Sequence, residues 1–208
     1  MRRNNKRGFT LVELIVALVI LAILASLLVP ALTGYMDKTK KQAVINEARD
    51  VWTAAQAALT ECYALYPESF NDSSNSCRFT IIVNGVTYKN VGRITNGALH
   101  AIQKKPNDKT EAGSSSRRVA AQVLKYLESD GKNPRYTFGS GSLISSATRP
   151  STYFNGKPKK TDVIIQIFHT QDGRVIAINF AKDGYMATVV PGQETTCEYD
   201  GACIASSG

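Results

Sequence analysis

Between Phe9 and Leu32 of this 208-residue chain only one side chain ionises, that of Glu13. A carboxylate inside hydrocarbon costs about 2.5–3.5 kcal/mol even on lenient insertion scales, so it needs a cationic partner or a task. Four cysteines, Cys62, Cys77, Cys197 and Cys203, follow the apolar run. An even number of thiols in one region is the pattern of two disulfides, with three possible pairings. Cys62–Cys77 with Cys197–Cys203 needs the least chain rearrangement. A metal site is the competing chemistry. Neither spacing is the CxxC of a zinc site, and only His100 and His169 could assist, so no metal site is read here.

Catalytic patterns are weaker still. Gly139-Ser140-Gly141 lacks the GxSxG spacing of a nucleophile elbow, and the two histidines lie far apart in sequence. Asp172, Asp183 and Asp200 stand beside glycines, which suits turns better than the spaced oxygen ligands of a calcium loop. The sequence is therefore read as that of a non-enzyme with no cofactor.

The elements around Glu13 give it a context. As a helix, the 24 residues from Phe9 to Leu32 span ~36 Å, enough for a ~30 Å hydrocarbon core. Arg2, Arg3, Lys6 and Arg7 precede the run with no acid among them. That asymmetry predicts a cytoplasmic N-terminus and a translocated remainder. It also accounts for much of the net charge of +8, since the rest of the chain carries 21 basic and 17 acidic residues. The bulk charge is thus poor support for a nucleic-acid partner. A signal peptide cut after Ala31, at Val29-Pro30-Ala31, is one ordinary explanation of the run. A plain membrane anchor that tolerates Glu13 near the interface is another.

Neither explanation gives Glu13 a reason to exist. The stretch "RGFTLVEL" resembles the processing site of type IV pilin and pseudopilin precursors. A short basic leader ends in Gly8; Phe9, Thr10, Leu11, Val12 and Glu13 follow, then an apolar helix with Pro30 where the family often has a helix-disturbing proline. The resemblance covers about Lys6 to Tyr35. It implies that a prepilin peptidase cuts between Gly8 and Phe9 and methylates the new amine of Phe9. It further implies that a membrane assembly platform moves the chain from the bilayer into a filament of identical or related subunits. In such filaments the carboxylate at the Glu13 position meets the Phe9 amine of a neighbour. The physics is consistent, because a buried charge is tolerable when paired and costly when stranded.

Beyond Pro30, which removes the helical donor to the Ser26 carbonyl and so predicts a kink, "YMDKTKK" is a polar, turn-rich patch. Then Val44, Ala48, Val51, Ala55, Ala58, Leu59 and Cys62 recur at helical spacing as one apolar stripe, the face that packs on a globular domain. "RFTIIVNGVTYKNV" reads as a hairpin turning at Asn84-Gly85. "NGALHAIQKK" and "SRRVAAQVLKYLES" read as helices, "PESFNDSSNS", "KPNDKTEAGSSS" and "FGSGSLISSATRPS" as loops. "DVIIQIFHT", "RVIAINFA" and the strand after Asp183-Gly184 make an antiparallel meander.

The fold expected is α+β: a long N-terminal helix, membrane-spanning in its first half, packed on an antiparallel sheet, as in pilins. Its parts are a leader of residues 1–8, a transmembrane and filament-core helix of 9–33, an amphipathic continuation of 34–62 and an extracytoplasmic domain of 63–208. The function expected is a structural subunit of a type IV pilus or related filament serving adhesion, twitching, DNA uptake or secretion. It would be held in the cytoplasmic membrane as precursor and at the cell surface once assembled. The alternative is a secreted or anchored binding domain that uses residues 1–31 only for export. Lys104-Lys105, Arg117-Arg118 and Lys157 to Lys160 could meet DNA phosphates, though such runs are more often solvated loop charge.

Overall fold

From Leu11 the sequence offers no glycine until Gly34 and one proline, so nothing but Pro30 opposes a helix. In the computed structural model the first helix, α1, runs Leu11–Leu65 and passes through Pro30 in helical conformation. The polar patch "YMDKTKK" is helical as well, despite its turn-rich composition. Nearby hydroxyls bond back to carbonyls of the preceding turn. Ser26 Oγ donates to the Ile23 carbonyl (2.7 Å), Thr33 Oγ1 to that of Pro30 (2.9 Å) and Thr39 Oγ1 to that of Tyr35 (3.0 Å). The structure describes residues 9–67, 70, 77–104, 115–130, 134–138, 142–146, 149–153 and 162–199. The chain divides into two compact units, residues 1–40 and 41–208.

In the first unit the described side chains from Phe9 to Met36 are all exposed. In the second, the stripe expected on α1 is buried throughout: Val44, Ala48, Val51, Ala55, Ala58, Leu59 and Cys62 all lie in the main core. Alanine at three of these positions lets the helix backbone approach the sheet closely.

The sheet is built from β1 (Cys77–Val83), β2 (Val86–Thr95), β6 (Asp162–His169), β7 (Val175–Lys182), β8 (Tyr185–Val189) and β9 (Thr196–Tyr199), in the spatial order β1-β2-β6-β7-β8-β9. Neighbours on this path are antiparallel. A two-residue strand, β3 (Thr137–Phe138), adds a parallel pairing to the start of β6. Two hairpin turns are the primed type expected of Asn-Gly and Asp-Gly, with positive φ at both central residues: Asn84 (51°) with Gly85 (79°), and Asp183 (52°) with Gly184 (84°); at Asp172-Gly173, between β6 and β7, only Gly173 (76°) has positive φ.

Two helices, α2 (Asn96–Lys104) and α3 (Ser115–Tyr126), follow β2 and bury Leu99, Ile102, Val119, Val123 and Leu124 in the same core. The opposite face of the sheet has its own smaller cluster around Val91, Phe168 and Ala177. One stretch departs from expectation. "FGSGSLISSATRPS" is not simply loop: it holds the last residue of β3, all of β4 (Ser142–Ser146) and the start of β5 (Arg149–Tyr153), and β4 and β5 form a separate two-stranded sheet. Its serines mask the strand pattern, and β3 is fixed by pairing with a strand more than twenty residues later, which no local window reveals.

Several polar ties fasten α1 to the sheet layer. Lys182 Nζ meets Glu47 Oε1 at 2.7 Å, and Arg135 meets Asp50 at 2.6 Å. Gln56 donates to the Gly173 carbonyl (3.0 Å) and accepts from the Val175 N–H (2.9 Å). Glu47 therefore faces the end of β7 and Gln56 its start, so α1 runs antiparallel to β7.

Candidate functional site

The first turn of α1 is organised by two side chains. Thr10 stands at the N-cap position, and Glu13 is third in the helix proper. The Thr10 N–H and Oγ1 both donate to Glu13 Oε2, at 2.9 and 2.7 Å, and the Glu13 N–H donates to Thr10 Oγ1 at 3.3 Å. This is a reciprocal capping box, which satisfies donors that a helix start otherwise leaves bare. A carboxylate in the first turn also offsets the positive end of the helix dipole. Within its own chain, then, Glu13 is already hydrogen-bonded and needs no cation to be tolerated at the helix start. The role of Thr10 was missed in the sequence reading, although the Thr-x-x-Glu signature in "TLVE" was visible there.

Phe9, just before the cap, is 82% exposed. The helix beyond Glu13 presents Leu14, Ile15, Leu18, Leu21, Leu24 and Leu28, among others, each at least half exposed. A patch this large marks a membrane- or protein-contact surface. Among the described residues α1 is the one helix long and apolar enough to cross a membrane. Gly8 lies outside the described residues.

The remaining expected site residues fall in the second unit. Cys62 and Cys77 are both buried, each as a free thiol, so no bridge joins them in this structure. Loss of solvation raises both thiols' pKa values, that of Cys77 to about 11. Cys197 lies on β9, half-buried against the main core; Cys203 lies outside the described residues.

The other polar candidates take structural places. His169 ends β6, is 2% exposed, and burial lowers its pKa. His100 meets the Phe138 carbonyl through Nδ1. Asp172 accepts from Thr170 Oγ1 and from Arg174 Nε, which hold its carboxyl below the ordinary range. Among the described residues no three His, Cys, Asp or Glu side chains group where a metal could bind. Of the basic clusters, Lys104 closes α2, Arg117 and Arg118 open α3, and Arg118 lies 4.6 Å from the ring centre of Tyr66. Lys105, Lys157 to Lys160, Gly139 to Gly141 and Asp200 lie outside the described residues.

Residues 3–29 match the prokaryotic N-terminal methylation motif family. Among curated proteins, type II secretion system core protein G of Klebsiella michiganensis is 53% identical over 47 residues, covering 23% of this chain and 33% of that protein. Fimbrial protein Q of Moraxella bovis is 40% identical over 58 residues, covering 28% of this chain and 37% of the other. Type IV major alpha-pilin of the same organism is 40% identical over 58 residues, covering 28% and 36%. The chain thus spans about a third of the length of the curated relatives it matches. No solved structure matches. The N-terminal region is similar to that of prepilin-type precursors.

Proposed function

We propose that this chain is a structural subunit of a type IV pilus or a related type II secretion filament. A prepilin peptidase cuts it between Gly8 and Phe9, the amine of Phe9 is methylated, and it assembles through α1. Before assembly α1 lies in the cytoplasmic membrane, and afterwards it packs against the helices of neighbouring subunits. The matched motif and the relatives' names support this reading. The observation that carries it is geometric: a carboxylate stands at the head of a helical segment whose described side chains are all exposed and, around it, apolar. Such a surface is stable only when covered, by lipid first and by other subunits later.

Cleavage supplies the charge that gives Glu13 its task. The new Phe9 amine is a cation at the same depth as Glu13 of an adjacent subunit. In the lone chain Thr10 holds the carboxylate with neutral donors. Docking replaces a neutral donor with a cation, and a hydrogen bond that joins two charges is roughly twice as strong as a neutral one. One register between subunits brings the pair together, and others strand it.

The test is the mass and N-terminal sequence of the protein recovered from sheared cell-surface material. A chain starting at N-methylated Phe9 supports the proposal. A start at Leu32 would identify a signal peptide and a conventionally exported domain, and an intact Met1 would leave either a plain membrane anchor or an unprocessed precursor.

A further inference from the structure

The fold selects among the three cysteine pairings that the sequence leaves open. Cys77 opens β1 and pairs across the ladder with Gly92, which pairs in turn with His169. Residues directly opposite project to the same face, so Cys77 and His169 share a face, with Gly92 between them. That face carries α1. The ring of Phe70 stands 5.7 Å from that of His169 and 5.6 Å from that of Tyr63, edge-on to both. Tyr63 directly follows Cys62, and Cys62 lies in the same core cluster as Phe70. A Cβ on Gly173, in the turn that precedes β7, would lie 3.1 Å from Tyr63 Cβ and 3.2 Å from the Leu59 carbonyl, so this end of the sheet abuts the end of α1. Cys62 and Cys77 therefore lie at the same end of the helix–sheet layer.

Cys197 is far from both. It lies on β9, five strand steps from β1. At about 4.8 Å per step the separation is ~24 Å, whereas a disulfide needs Cα atoms within about 7 Å. It is also remote from Cys62, because Arg49 of α1 reaches Thr195, two residues before it, at 3.2 Å. From Arg49 to Cys62 the helix rises ~20 Å. Cys77–Cys197 and Cys62–Cys197 are each excluded, and with them both crossed arrangements.

We propose that Cys62 and Cys77 form a disulfide that fastens the C-terminal end of α1 to the edge strand β1, and that Cys197 pairs with Cys203. The bond forms when the two thiols give up two protons and two electrons. A disulfide of an extracytoplasmic thiol oxidase accepts them and opens to two thiols. Both cysteines are buried and their thiols resist ionisation, so the exchange occurs on the exported chain before the core closes over them. The proposal relies on translocation of the second unit, as the filament reading does, but not on filament formation.

Trypsin separates the outcomes. No lysine or arginine falls between Arg49 and Arg78, or after Lys182. Peptide 50–78 thus holds Cys62 and Cys77, and peptide 183–208 holds Cys197 and Cys203. Full-length protein from native cells, blocked with iodoacetamide at lysis and digested without reduction, should yield the two peptides separately. Each should be lighter by two hydrogens than its dithiol form and carry no alkyl group. In Cys197→Ser, peptide 50–78 should remain closed, and in Cys62→Ser it should carry one alkyl group, at Cys77. Recovery of the two peptides joined to each other, or alkylation of Cys62 and Cys77 without reduction, would overturn the pairing. The same digest reads the mature N-terminus. Alkylated thiols on a chain starting at Phe9 remove the bridge and leave the filament reading; a closed peptide 50–78 on a chain starting elsewhere does the reverse.

Discussion

Gly92→Ala is the substitution whose cost the structure sets most directly. A Cβ built at Gly92 would lie 2.1 Å from His169 Cε1, 2.2 Å from Nε2 and 2.9 Å from Nδ1. Non-bonded carbon contacts settle near 3.5–4.0 Å, so the ring must retreat by about 1.5 Å. It has nowhere to go. Phe70 stands edge-on to it, and its Nδ1 lies 3.0 Å from the Thr170 carbonyl. Forcing a methyl into such a site costs about 1–3 kcal/mol, and losing the Thr170 contact adds about 1 kcal/mol. The expected loss is therefore about 2–4 kcal/mol. The assay is urea unfolding of the full-length mature chain in detergent, followed by fluorescence of Trp52, the one tryptophan in the chain. The reasoning also requires coupling. Removing the ring in Gly92→Ala/His169→Ala frees the space, so the double variant should be more stable than the sum of the singles by about 1–3 kcal/mol. A Gly92→Ala variant within about 0.5 kcal/mol of wild type would refute the reasoning, and so would strict additivity, because surface-like neutrality or independence cannot coexist with this overlap.

Three further outcomes follow from the same structure. Glu13→Ala should remain membrane-inserted and cleavable while filament yield falls at least tenfold, the loss expected when a buried charge pair is broken; immunoblots of sheared and cell fractions measure it, and normal yield would remove the task assigned to Glu13. Gly8→Leu should leave only precursor-sized protein on such a blot if the proposed cut depends on a small residue there, and mature protein from this variant would count against the site. Stability of the second unit should fall as pH drops below about 6.5: burial lowers the pKa of His169 from its ordinary 6.5, so the unfolded chain binds the proton first and stability is complete only above that value. Urea midpoints taken from pH 7.5 to 5 should show this slope, and His169→Gln should flatten it.

The sequence made some of this legible and hid the rest for identifiable reasons. The buried stripe on α1 was readable because its apolar residues recur at the helical period, and all seven are buried. The hairpins at Asn84-Gly85 and Asp183-Gly184 were readable because only certain residues accept positive φ at both turn positions. β3 and β9 were not readable. β3 is two residues long and gains its identity from a parallel partner distant in sequence. β9, with the sequence Thr-Cys-Glu-Tyr, borrows its register from β8. The capping box at Thr10 was in plain view, yet the charge at Glu13 drew attention to a partner in another chain rather than one three residues away. The place of His169 over Gly92 could not have been found, because it depends on two strands meeting in one register.

The antiparallel course of α1 along β7 has a mechanical consequence. Within the second unit, a load along the axis of α1 acts along the layer between helix and sheet. The contacts Glu47–Lys182, Asp50–Arg135 and Gln56 with Gly173 and Val175 are spread along about two and a half turns of the helix. Such a load strains them together, in shear, instead of peeling them open one after another. Resistance to tension is governed by the unfolding rate rather than by equilibrium stability. The second unit is thus arranged so that a load along its own stretch of α1 is shared among these contacts.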